Sequence, residues 1–538
     1  MTTMIQNPIL RGFRPDPSIV RVGDDYYIAT STFEWFPGIL IHHSKDMVNW
    51  RIVGHVLNTR EHLNMYGMDN SEGIYAPALS YADGKFYCTF SNVHSCRGGA
   101  WMSTPSFVVS AESIEGPWSL PVPIGDYGFD PSMFHDDDGK KYMVNMIWDG
   151  RAKTNFFNGI VVQEFSKAEG KLVGEPKVVF KGTERGGTEG PQILKKDGYY
   201  YLITAEGGTG WDHTVTVCRS ENVFGPYELH PDKHILSSRF QEGAPLQRAG
   251  HGFLVETQNG EWFLSHLCGR PLLDPTQNYH MGTYGHGRCI LGRESAIQNV
   301  EWRDGWPYVV GGIVPQLMVQ APELPAHPWP QEEVRDHFDG DKLAPKYQTL
   351  RDPVEESWCS LSARPGHLRL VGRDYLYSRY NQSMIAQRLT AHNCIAETSV
   401  EFDPTSPRQM AGITAYYSRS GHYFLKTTAN DEGKQVVQLV GYLDDVYREF
   451  SEEIDVERGK VFMRIELKKH WYIFSYSTDG VTWHQIGPDM NSTPLSDEGS
   501  NDIFRFTGSM LALFACDLTG QGLAADFDYF EYQDLGDE

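Results

Sequence analysis

Positive charge is scarce in this chain. Lys and Arg number 47 against 70 Asp and Glu, a formal net charge of −23 over 538 residues. An acidic surface of this kind disfavours nucleic acid and anionic membranes as partners. Long apolar runs are missing as well, and nothing approaches the roughly 18 residues a membrane-spanning helix needs. The opening MTTMIQNPILRGFRPDPS has neither a basic start nor an extended apolar stretch, so no secretory signal is expected and the cytoplasm is the expected location. Cys88, Cys96, Cys218, Cys268, Cys289, Cys359, Cys394 and Cys516 are scattered, with no CxxC pair. That argues against a zinc knuckle or a dense disulfide framework and for buried, reduced thiols, as in KFYCTF around Cys88. No stretch shows the periodicity of a long amphipathic helix. Apolar content is not lacking: 40% hydrophobic and 13% aromatic residues exclude a disordered chain.

What the chain does have is an internal repeat. Five segments follow one plan: DPSIVRVGDDYYIATST from Asp16, APALSYADGKFYCTFSN from Ala76, DPSMFHDDDGKKYMVNMIW from Asp130, GPQILKKDGYYYLITAE from Gly190 and HGFLVETQNGEWFLSHL from His251. Each runs through an apolar strand, a polar turn and an aromatic-rich strand. Asp-Gly or Asn-Gly stands in four of the turns, the strongest short-range hairpin signal. A third strand follows in ILIHHS, FVVSAE, IVVQEF, TVTVCR and CILGRE, and tails ending in Trp50, Trp118, Tyr227 and Trp302 suggest a fourth. Alternating β-branched and aromatic residues indicate strands. Five units of four strands indicate a five-bladed β-propeller, with the first strand of each blade lining a central channel.

The pattern breaks near residue 315. VPQLMVQAPELPAHPWPQ carries Pro315, Pro322, Pro325, Pro328 and Pro330, a composition that favours an extended, semi-rigid linker. Beyond it HLRLVG, AGITAYYS, HYFLKTTA and VFMRIELKK alternate apolar and polar residues, which indicates an antiparallel β-sandwich of jelly-roll or concanavalin-like type. The expected organisation is all-β: a propeller over 1–314, a linker over 315–334 and a sandwich over 335–538.

Three acids stand out: Asp16 and Asp130, each followed by Pro, and Glu189 in Glu189-Gly190-Pro191. An isolated Asp-Pro is ordinary turn chemistry. Three acids at the starts of three repeats instead build an acidic pocket in the channel, and Ala76 at the second repeat shows that the fold does not demand an acid there. The run Asp136-Asp137-Asp138 lies at a hairpin tip and is expected to be solvated. Such a pocket suits either a cation or glycosidic bond cleavage. Calcium prefers ligands close in sequence, whereas these come from three blades. Cleavage needs a protonated acid and an ionised base flanking one bond, and a third carboxylate can keep the acid protonated. A sialidase-type propeller would need an arginine cluster that these channel positions lack. His251 opens the fifth repeat and is expected in the channel. Thr209, in the Gly207-Gly208-Thr209-Gly210 loop, is a further pocket candidate. That loop is no phosphate cradle, because no GK[ST] or helix pattern follows it.

Taken together, RPDPSIV, FDPSMF, TEGP and GHG, in this order, resemble a glycoside hydrolase family 43 β-xylosidase, and the likeness runs through the C-terminal DLTGQGLAADFDYFEY. The resemblance implies inverting chemistry with Asp16 as general base, Glu189 as general acid and Asp130 tuning and orienting the acid. It implies that Arg293 in LGRE reaches the substrate hydroxyls. His251 would sit near the channel centre and help hold a divalent cation such as Ca2+, although the hydrolysis itself requires no cofactor. It implies a sugar platform of Phe33, Tyr75, Trp148 and Phe506, with Tyr75 standing where a Trp is expected and Phe506 reaching over from the second domain. The expected substrate is a short β-1,4-xylo-oligosaccharide, cleaved from the non-reducing end by a homo-oligomer. α-L-Arabinofuranosidase activity and a non-catalytic carbohydrate-binding propeller are the alternatives.

Overall fold

The structure, a computed structural model, describes residues 3–95, 101–151, 156–239, 241, 243–273, 287–502 and 504–537. Every regular element named among them is a β-strand. Five antiparallel four-stranded sheets follow one another as blades, with strands spanning Ser18–Leu57, Gly73–Gly125, Ser132–Phe180, Glu189–Leu236 and Gln247–Val309. The turn chemistry places the hairpins. Asp83-Gly84 (φ 54 and 73) sits between the paired Ala82 and Lys85, and Asp197-Gly198 (φ 49 and 83) between Lys196 and Tyr199. Two consecutive left-handed residues give the tight turn whose twist matches that of the strands.

Trp50, Trp118 and Tyr227 each come shortly before a fourth strand, at Arg51–Leu57, Val122–Gly125 and Glu228–Leu236. The fifth blade departs from expectation. Its third strand is Glu294–Arg303 rather than CILGRE, Trp302 lies within it, and Trp306 opens the fourth strand, Trp306–Val309. CILGRE looked strand-like because Ile290 and Leu291 are apolar, but both are buried in the sandwich core.

Apolar clusters fill the seams between blades. The seam between blades five and one joins Ile19, Tyr26 and Ile28 to Phe263 and Ile297. It is fastened outside the sheets by Met4–Gln6 pairing antiparallel with Met318–Gln320 and by Asn7, whose amide donates to the Ile297 and Gln316 carbonyls. Hydroxyls lock the channel rim: Ser265 donates to the Pro17 carbonyl at 3.1 Å, Thr89 to Pro131 at 2.5 Å and Ser132 to Pro191 at 2.5 Å. The prolines that follow Asp16, Asp130 and Gly190 are therefore each held by another blade. Asp136 is not merely solvated. Lys195 of the fourth blade grips it at 2.6 Å and Tyr200 donates to it at 2.8 Å.

The Pro-rich stretch is strapped along the first blade. His327 N donates to Asp46, Trp329 Nε1 donates to the Asn49 carbonyl, and Arg51 lies 3.9 Å over the Trp329 ring. The C-terminal strands form two packed sheets, a nine-stranded one and a seven-stranded one. Gly459–Lys468 shows the expected alternation, with Val461, Met463, Ile465 and Leu467 fully buried between the sheets. The two domains share a small ladder, Trp35–Phe36 against Thr349–Leu350. They also meet at Gly292, where a Cβ would lie 2.5 Å from the Thr507 carbonyl oxygen. The seven described cysteines are free and buried, and Cys96 lies outside the described residues.

Candidate active site

The site grows from one backbone device repeated around the channel. At or just before the N-terminal half of each channel-lining strand one residue adopts a left-handed conformation: Asp16 (φ 57), Ala76 (33), Asp130 (55), Gly190 (56) and His251 (46). For non-glycine residues this costs about 1–2 kcal/mol each, and such strain collects at functional sites. In the fourth blade the equivalent of Asp16 is Gly190, so the acid, Glu189, sits one residue earlier. The shift makes room for a ring: a Cβ on Gly190 would lie 2.5 Å from His251 Nε2.

Around Asp16 the contacts are dense. Arg293 Nη1 donates to Oδ1 at 3.1 Å, His251 Nδ1 stands 3.3 Å from the same oxygen, and Ser31 donates to Oδ2 at 2.6 Å. Ser31 in turn accepts from Ala76 N at 2.8 Å, so the second blade helps place the first blade's acid. Asp130 accepts from Gly190 N at 2.9 Å, and Thr188, beside Glu189, donates to the buried Glu206 at 2.8 Å.

This environment drives the carboxyls apart. Burial acts to raise Asp16, but Arg293, then His251 and Ser31, outweigh it and hold Asp16 well below the usual carboxylate range. Glu189 is pushed up to about 8 by burial and then by the Asp16 charge, with Arg293 opposing. Asp130 is also raised, first by burial; His251 opposes the rise, while Glu189 and Asp16 add to it. Burial works against a charged His251, yet its hydrogen bond to Asp16 and the charges of Asp16 and Asp130 raise its pKa. The charge that raises Glu189 is thus that of Asp16. Asp130, itself buried beside Glu189, competes with it for a proton. One acid ionised and one protonated at neutral pH is the arrangement that acid–base cleavage needs.

All ten residues expected from the sequence line one cavity of about 260 Å³: Asp16, Phe33, Tyr75, Asp130, Trp148, Glu189, Thr209, His251, Arg293 and Phe506. Phe33, Tyr75 and Phe506 form one aromatic wall, with ring centroids 4.8–5.8 Å apart. Phe506 does come from the sandwich. Its N–H donates to Ser71 Oγ at 3.0 Å and its carbonyl accepts from Arg293 at 3.2 Å. Sequence reasoning missed Phe129, Phe156, Phe157 and Phe504, which also line the cavity. Phe129 and Phe504 carried a signal, one preceding Asp130 and the other two residues from Phe506. Arg248 was missed too. It is buried, donates to the Thr209 carbonyl, and binds Asp497 and Glu498 of the sandwich at 3.0 and 2.8 Å. It ties the glycine-rich loop to the second domain.

A cation at the channel centre would meet the His251 imidazole and carboxyls already engaged in hydrogen bonds. Among the described residues no group of three or more His, Cys, Asp or Glu stands at metal-holding spacing. Calcium asks for about 6–8 oxygen ligands, so the residues do not fit a protein-built cage.

Comparison with known proteins decides the family. Residues 5–307 match glycosyl hydrolases family 43, and residues 335–533 match the beta xylosidase C-terminal concanavalin A-like domain. The chain belongs to glycosyl hydrolase family 43. Within this family it is 66% identical over 533 residues to a xylan 1,3-beta-xylosidase of Vibrio sp., covering 99% of each chain. It is 43% identical over 538 residues to xylosidase/arabinosidase 43B of Humicola insolens, covering 98% of this chain and 97% of that one. Among solved structures it superposes on a xylan beta-1,4-xylosidase from Bacillus halodurans C-125 with a TM-score of 0.95 at 46% identity. That match covers 98% of this chain and 100% of the other. Family 43 membership agrees with the propeller, the sandwich and the acidic pocket already described.

Proposed function

We propose that the protein is an exo-acting β-xylosidase. It removes single xyloses from the non-reducing end of short xylo-oligosaccharides in one inverting displacement. The observation that carries this reading is the split in proton affinity between two acids in one cavity, Asp16 held low and Glu189 raised to about 8. In the proposed reaction Asp16 takes a proton from water as its oxygen bonds to the anomeric carbon, and Glu189 gives its proton to the departing glycosidic oxygen. Inversion requires the two carboxyls to stand about 6.5–9.5 Å apart, leaving room for that water. Asp130, through its bond to Gly190 N, would orient the acid-bearing segment, and Arg293 would bridge base and substrate. The small cavity, closed on one side by Phe504 and Phe506 of the sandwich, suits one sugar ring with its chain end, which supports exo action.

Our working substrate is β-1,4-linked. The Vibrio sp. relative is named for the 1,3 linkage, and the Humicola insolens relative for arabinosidase activity as well. The test is hydrolysis of β-1,4- and β-1,3-xylobiose, nitrophenyl β-xyloside and nitrophenyl α-L-arabinofuranoside by wild type, Asp16→Asn and Glu189→Gln. We expect xylose release by wild type and a loss of about 10²–10⁴-fold in each variant. Binding of xylobiose without release of xylose would instead make the propeller a lectin-like module. The free, buried cysteines support placing the enzyme in a reducing compartment, the cytoplasm, and we propose that it works there as a homo-oligomer.

A further inference from the structure

A second cavity, of about 570 Å³, lies between propeller and sandwich and shares no residue with the first. Its wall carries cationic groups without partners. Arg388 of the sandwich is 2% exposed, and its Nη1 and Nη2 have no hydrogen-bond partner; only Nε is engaged, donating to the Phe13 carbonyl at 2.5 Å. Arg14 of the propeller leaves its buried Nε unpartnered. His42, 3% exposed, has no well-aligned ring hydrogen bond, with the Ile28 backbone against it. The two guanidiniums are close enough that Arg14 adds to burial in disfavouring the charge on Arg388. Acids do act on Arg14, first the exposed Glu332 and then the buried Glu294, but none is among the charges that act on Arg388. Asp534 is held by Arg11 at 3.2 Å, and Glu332 and Glu333 lie in solvent.

Buried charges are ordinarily paired. A buried guanidinium with both terminal nitrogens unpartnered and no acid acting on it, beside the unpartnered Nε of a second guanidinium, is in a chain of net charge −23 a vacancy for an anion. We propose that this cleft binds a small oxyanion between Arg14 and Arg388, with His42 as a further donor. Guanidinium forks suit phosphate and carboxylate groups equally. Water could fill the hydrogen bonds but not the charge. The site also touches the machinery of the first cavity. Arg14 N donates to the Arg293 carbonyl at 2.9 Å. The Phe13 ring, whose own carbonyl accepts from Arg388, packs 5.8 Å from Phe33. A bound anion therefore clamps the sandwich to the short segment that presents Asp16.

The experiment is thermal unfolding of the intact protein in inorganic phosphate, malonate or chloride at matched ionic strength and pH 7, for wild type, Arg388→Met and Arg14→Gln. The expected result is a saturable rise in Tm of about 2–4 °C with phosphate or malonate over chloride, lost in both variants. The more effective of the two anions identifies the ligand as tetrahedral or carboxylate. Equal Tm in all three salts, or a gain retained by the variants, overturns the proposal. Should Arg388→Met fail to fold, Arg14→Gln, a partly exposed position, carries the test.

Discussion

Replacing Arg293 by Met removes the guanidinium beside Asp16 while leaving an apolar chain in its place. In the native site Arg293 is 2% exposed and donates to Asp16 Oδ1 at 3.1 Å. A unit charge pair near 4 Å at an effective dielectric of about 20 attracts by about 4 kcal/mol. His251 at 3.3 Å and Ser31 at 2.6 Å remain to support the carboxylate, so part of that is retained. An opposite charge this close depresses an Asp by about 1–3 pH units. The acidic limb of kcat/KM should therefore move upward by about 1–3 pH units in the variant. Stability should follow the same titration. In the native protein Asp16 is depressed, so its contribution is present above the unfolded carboxylate pKa of about 4 and is lost as pH falls toward its folded value. In the variant His251 and Ser31 still oppose burial, so the folded pKa rises by about 1–3 pH units and the stabilising contribution shrinks accordingly. The stability gap between the two proteins should open as pH rises through the native folded pKa of Asp16, be largely open by pH ~5 and reach about 1.4–4 kcal/mol at pH 7. Rate profiles on an aryl β-xyloside and denaturation at each pH measure both quantities. An unmoved acidic limb together with a pH-independent gap would mean that Arg293 acts by packing alone and that this electrostatic account is wrong.

Three further outcomes follow from the same geometry. Glu189 is raised to about 8, so its stabilising contribution is full below pH ~4.5 and is lost as pH climbs to about 8. Glu189→Gln should then match wild type in Tm near pH 5 and exceed it at pH 8. Its kcat on xylobiose should fall by about 10²–10⁴-fold, and by much less on a dinitrophenyl xyloside, whose leaving group needs no proton. Gly190→Ala forces a Cβ into the left-handed region at φ 56 and to 2.5 Å from His251 Nε2. We expect about 1–2 kcal/mol of lost stability and at least a tenfold drop in kcat/KM, read from melts and kinetics. Phe506→Ala opens the sandwich side of the pocket and should raise KM for xylobiose about tenfold, equivalent to about 1.4 kcal/mol, with a smaller effect on kcat.

The propeller was legible because its signals recur. Five channel strands, Asp-Gly turns and aromatic second strands repeat with one spacing, and local turn chemistry such as Asp197-Gly198 sets each hairpin. The acidic trio was legible for the same reason, since Ala76 and Gly190 mark what the position looks like without an acid. What escaped depends on contacts between distant segments. CILGRE imitated a strand because Ile290 and Leu291 serve the sandwich core. Arg248 has no local signature, because the acids that define its role, Asp497 and Glu498, lie about 250 residues away in sequence. The raised pKa of Glu189 was foreseen, but its charge partner was not. Whether Asp16 or Asp130 raises it depends on which carboxyl Arg293 holds ionised, and that is set by the meeting of the first and fifth blades.

The central claim is that one acid is ionised and one protonated across a single sugar site. Proton NMR of xylobiose hydrolysis, recorded faster than mutarotation, tests it most directly. The account predicts that α-xylose appears first and decays toward the equilibrium anomer mixture, with no release by Asp16→Asn. First appearance of β-xylose, or undiminished release by that variant, would contradict it.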